Sequence, residues 1–69
     1  MTPEEKEIAK LKDEIKAELR VIFKANMKIF DWDIPEANDQ RAAELIVATM
    51  QEALDEIKTE VANGEYANY

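Results

Sequence analysis

The sequence predicts an all-α fold: an antiparallel two-helix hairpin, completed as a four-helix bundle by homodimerisation. Apolar residues recur at helical spacing through two long segments, and a single proline-containing break near residue 35 separates them. No segment shows the alternation of a strand. The break is only a few residues long, which makes the two helices antiparallel neighbours. Residues 1–69 therefore read as a single helical domain.

The first helix is expected over about residues 3–30. Thr2 is placed to cap it, Pro3 occupies the first helical position, and Glu5 follows Thr2 by three residues, which is the spacing of a capping box. Ile8, Leu11, Ile15, Leu19, Ile22, Ala25 or Asn26, and Ile29 then follow one another at helical spacing. The isoleucines at 8, 15, 22 and 29 keep a seven-residue period, but Glu18 and Leu19 compete for one slot of any common heptad. This pattern fits a helix facing a bundle better than a long coiled coil.

The turn is expected over about 31–35, because Pro35 pushes Ile34 away from helical angles. The second helix is expected over about 35–63, with Asp33 and Glu36 boxing its start and Asn38 or Asp39 as the alternative cap. Its apolar face carries Ala43, Ile46 or Val47, Met50, Leu54, Ile57 and Val61, and Asn63-Gly64 supplies a C-terminal stop. The tail, 64–69, holds Tyr66 and Tyr69, free either to fold back or to extend.

A turn centred near residue 34 pairs Ile8 with Glu60 and Val61, Leu11 with Ile57, Ile15 with Leu54, Leu19 with Met50 and Ile22 with Ile46. Two apolar runs exceed what that pairing can cover. Val21, Ile22 and Phe23 are consecutive, as are Leu45, Ile46, Val47 and Ala48, and consecutive residues lie about 100° apart on a helix. Together with Phe30, Trp32 and Met50 they make the expected dimer or partner interface, Trp32 acting as an apolar plug over the hairpin end. A chain of 69 residues also buries too little surface for comfort as a monomer. A closed two-fold dimer is the commonest remedy.

The chain carries 9 Lys and Arg against 16 Asp and Glu, a net charge of -7. The charge is unevenly spread. Residues 1–30 hold seven bases and six acids, a balance of +1; residues 31–69 hold two bases and ten acids, a balance of -8. Lys12, Lys16, Arg20, Lys24 and Lys28 form a basic ridge that complements the dipole of the first helix and reads as a solvated face. At the open end of the hairpin Glu4, Glu5 and Glu7 meet Asp55, Glu56 and Glu60 in an acidic patch.

Composition excludes much chemistry. There is no Cys and no His, so thiol nucleophiles, disulfides, the usual zinc ligands and the commonest general base are all missing. One Gly cannot build a phosphate-cradling loop. Asp31-Trp32-Asp33 opens like a calcium loop, but Pro35, Glu36 and Ala42 stand where the pattern needs an acceptor, Gly and Glu. No catalytic, cofactor-binding or metal site is expected, and no enzyme. The acidic total argues against direct nucleic-acid binding. The first residues lack a signal-peptide pattern and no apolar run approaches the ~20 residues of a membrane span, so the expectation is a cytoplasmic protein without a membrane role. The functional expectation is a non-enzymatic, small acidic interaction or regulatory protein. The alternative is an acidic mimic or antidote that binds the basic surface of a nucleic-acid-binding protein or toxin.

Overall fold

The computed structural model describes residues 1–69. Two helices, α1 (Pro3–Asp33) and α2 (Asp39–Ala62), fold into a hairpin, and the chain has no strand. The 31 residues of α1 give a rod of ~46 Å at 1.5 Å per residue, which sets the 49 Å length of the molecule.

The start of α1 is the reciprocal box written in its first residues. The Glu5 amide donates to Thr2 Oγ1 at 3.1 Å, and the Thr2 amide donates back to Glu5 Oε1 at 3.4 Å. Pro3 removes an amide that would have lacked a partner in any case. The helix continues three residues past position 30, to Asp33. Pro35 restricts the residue before it, so Ile34 is the first to leave the helix, with φ -136° and ψ 73°. Its amide still reaches the Phe30 carbonyl, at 2.8 Å.

α2 starts at Asp39 rather than near Pro35. A start at Pro35 would leave Ile34 as the cap, with no side-chain acceptor for the free amides. Asn38 supplies one: its Oδ1 accepts from the Arg41 amide at 3.1 Å. The Asp33–Glu36 box does not form, and the connection is residues 34–38.

The C-terminal end of α2 is a Schellman motif. Gly64 adopts φ +78°, its amide donates to the Val61 carbonyl at 3.0 Å, and the Glu65 amide donates to the Glu60 carbonyl at 3.1 Å. The tail then turns back on the end of α2. Tyr66 Oη donates to Glu60 Oε1 at 2.6 Å, and the Tyr66 and Tyr69 rings meet edge-on at 5.7 Å. Donation to a carboxylate, with partial desolvation and the Glu60 charge, holds the Tyr66 phenol above its ordinary 10.0.

Packing between the helices is confined to the turn end. Leu19, Phe23, Met27 and Phe30 of α1 are half-buried, as are Ala43, Ile46 and Met50 of α2. Ala42 alone is buried, at 3% exposure. A small residue there lets α2 approach the aromatic rings of α1 closely. Beyond Leu19 the helices part, and every residue of 1–18 is exposed. The second dimension of the molecule, 26 Å, exceeds the ~20 Å of two packed helices.

Candidate functional site

The chain presents an apolar seam that it does not cover. Its accessible surface is 6272 Å², against about 4,400 Å² for a compact monomer of 7.9 kDa. Its Cα radius of gyration is 15.9 Å, against about 11 Å for a compact 69-residue domain. The excess is about 1,900 Å² per chain, and the large apolar residues left exposed include Ile8, Ile22, Ile29, Leu45 and Val47.

Three grooves make up this seam. One, of about 480 Å³, lies along the inter-helix contact and is lined by Ile22, Asn26 and Phe30 of α1 with Leu45, Thr49 and Ala53 among the α2 residues. Its two polar side chains are turned to their own helices. Asn26 Nδ2 donates to the Ile22 carbonyl and Thr49 Oγ1 to the Leu45 carbonyl, each at 2.9 Å. What remains on the groove wall is largely hydrocarbon, suited to another apolar surface rather than to a polar substrate.

On the opposite side of the contact a smaller groove of about 230 Å³ is lined by Leu19, Phe23, Val47, Met50 and Leu54, with Arg20 and Gln51 at its margin. The third groove, of about 630 Å³, runs past Met1, Ile8, Ala9 and Ile15 near the start of α1 and is flanked by Glu4, Glu5, Lys12 and Lys16. It is lined by α1 alone, so it encloses nothing. It is a helix face from which the second helix has diverged.

The isoleucines at 8, 15, 22 and 29 fall on this open surface, with exposures of 45–58%. They lie about a quarter-turn round α1 from the line Leu19, Phe23, Met27 and Phe30 that meets α2. The stripe they form is ~32 Å long.

The residues expected at the interface fall into three groups. Ile22, Phe23, Phe30, Leu45, Ile46, Val47 and Met50 line the two grooves of the inter-helix contact. Val21 lines no groove and is exposed on α1. Trp32 does not plug the hairpin end and is 87% exposed. Because α1 continues as helix through Asp33, Trp32 lies about 200° round from Phe30, and Phe30 faces α2.

Two expected pairs, Leu19 with Met50 and Ile22 with Ile46, line common grooves. The pairs nearer the open end do not close: Ile8, Leu11 and Ile15, with Leu54, Ile57 and Val61, remain exposed.

Of the acidic patch, Glu4, Glu5, Glu7, Asp55 and Glu56 are exposed and Glu60 is half-covered by Tyr66. Only two ion pairs form in the whole chain, Lys10–Glu7 at 3.7 Å and Arg41–Glu44 at 3.3 Å, both within a helix and both exposed. Most of the charge is therefore uncompensated. A second acidic feature, missed in the sequence because it depends on where the helices end, joins the two sides of the turn. Across the connection, the protonated Asp31 carboxyl can share its proton with Asp39. That hydrogen bond, with partial desolvation and the Asp39 charge, holds Asp31 above its ordinary 3.8.

No group of three or more Asp and Glu side chains is arranged to hold a metal ion, and no helix is long and apolar enough to cross a membrane. No family model, curated protein or solved structure matches the chain.

Proposed function

We propose that this chain is a non-enzymatic interaction protein whose folded unit is a homodimer, two hairpins forming a four-helix bundle. The observation that carries the reading is the uncovered seam. A single residue, Ala42, is buried, and about 1,900 Å² more surface is exposed than a compact chain of this mass would show. Over two chains that amounts to about 3,800 Å², in the range obligate dimers bury, and closed two-fold association is the commonest way to bury it. The two inter-helix grooves offer largely hydrocarbon walls, with Arg20 and Gln51 at the margin of one, which favours a protein surface over a small polar substrate. The role proposed for this small acidic protein is regulatory, and its proposed location is the cytoplasm.

Light scattering across a concentration series tests the assembly. The expected mass at micromolar concentration is twice 7.9 kDa. A folded species of single-chain mass throughout would refute it.

The uncompensated acids at the open end support a second reading, in which the dimer's acidic surface occupies a basic protein. Affinity for such a partner should collapse between low and moderate salt. Reversing the charges of Asp55, Glu56 and Glu60 should weaken binding without loss of helix. Unchanged binding by that triple variant removes this reading.

A further inference from the structure

We propose that the second copy docks antiparallel, with its turn end lying against this chain's open end; this rests on the dimer reading above and adds its orientation. Charge divides the hairpin along its length. Residues 16–48, the turn-end half, hold five bases and six acids, a net of -1. The remainder, the open-end half, holds four bases and ten acids, a net of -6. A dimer with like ends together sets one -6 half against the other, within a Debye length of ~8 Å and with only the Lys10–Glu7 pair formed inside either of them. The antiparallel arrangement sets each -6 half against a -1 half.

The match is finer than the totals. Residues 16–30 carry Lys16, Arg20, Lys24 and Lys28 against Glu18, a net of +3. Residues 51–65, which form the acidic side of the open end, carry a net of -4. Reversing one hairpin on the other brings these opposite segments to the same level of the bundle.

Shape points the same way. The hairpin is closed at its turn, where the half-buried residues gather, and spread at its other end, where Ile8, Ile15, Leu54 and Ile57 are exposed. Two such wedges laid head to tail make a bundle of even width. Each closed end, with Ile22 and Leu45 on its surface, then covers the apolar residues the partner's open end leaves bare. Laid with like ends together, the two spread ends would face each other and leave a gap at one end of the bundle.

Because the chain has no Cys, a single introduced thiol is a unique attachment point for a spin label. Glu36→Cys places the label in the exposed turn and Lys6→Cys places it at the exposed open end. Distances between labels should be measured by pulsed electron resonance on samples whose mass has been checked by light scattering. The antiparallel dimer predicts a separation on the order of 40 Å for Glu36→Cys paired with itself, given the 49 Å length. In a mixture of the Glu36→Cys and Lys6→Cys chains it predicts an added separation of less than about 25 Å from the mixed dimers, since those labels then share one end of the bundle. A short separation for Glu36→Cys with itself, at dimer mass, would overturn the orientation and leave the dimer standing. Single-chain mass for both variants and the unmodified chain would overturn the dimer itself and assign the seam to a different protein.

Discussion

Leu19 and Met50 line the same inter-helix groove, and they are the last half-buried apolar pair before the two helices part. One turn further on, Ile15 and Leu54 are 45% and 44% exposed. The hairpin is thus packed over its turn half and bare over the rest.

Ala42 sets how closely the helices approach. Ala42→Leu would drive a branched side chain into the space beside Phe30 and Ile22, and overpacking of this kind costs about 1–3 kcal/mol. Chemical denaturation should show the loss. Ala42→Gly should cost about 1 kcal/mol through helix propensity and roughly 0.8 kcal/mol more for the buried methyl it deletes.

Leu45 is half-exposed on the rim of the larger groove. Leu45→Glu should leave the packed line of Phe23, Met27 and Phe30 untouched while placing a charge in the assembled seam. Losing the burial of one large apolar side chain is worth about 1.5–3 kcal/mol, or roughly 10- to 100-fold in the dissociation constant. Sedimentation equilibrium should register it, and circular dichroism should report less helix as the chain becomes monomeric.

The Asp31–Asp39 pair makes the turn pH-sensitive. The Asp31 carboxyl is held above its ordinary 3.8 in the folded chain, so its contribution to stability is complete below 3.8 and is lost as pH rises through the raised value. Acidification from neutral toward pH 4 should therefore raise the thermal midpoint. Asp31→Asn, which can donate to Asp39 at any pH, should raise the midpoint at pH 7 and flatten the dependence in that window.

Gly64 is the only residue with positive φ, and nothing lies within 4 Å of where a Cβ would stand. Gly64→Ala should therefore cost about 1 kcal/mol through backbone strain, with no steric clash. Thermal unfolding should report that loss, and amide exchange should quicken at Gly64 and Glu65, whose amides close the motif.

The ends of the helices were written locally. Thr2, Pro3 and Glu5 specify the start of α1 within four residues, and Asn63-Gly64 specifies the end of α2, because capping is an interaction between near neighbours. The start of α2 was less legible. Asp33, Asn38 and Asp39 are all competent caps, and the choice turned on Pro35 leaving Ile34 where an acceptor was needed. The position of Trp32 followed from that same boundary, since three further residues of α1 fix its direction.

The extent of packing could not be read from spacing. The isoleucines at 8, 15, 22 and 29 and the line Leu19, Phe23, Met27 and Phe30 are both good helical stripes. Which of them meets α2 depends on the crossing of the two helices, and crossing is set by side-chain size at the contact, here by Ala42 and the two phenylalanines. The excess of apolar surface was visible in the runs at 21–23 and 45–48. The structure adds a longer uncovered stripe, reaching to Ile8.

Thermal unfolding of the unmodified chain over a hundredfold range of concentration tests the shared core most directly. If the seam is covered by a second copy, folding and association are one process, and the midpoint rises steadily with chain concentration. A midpoint independent of concentration, with full helicity at the lowest, would contradict it.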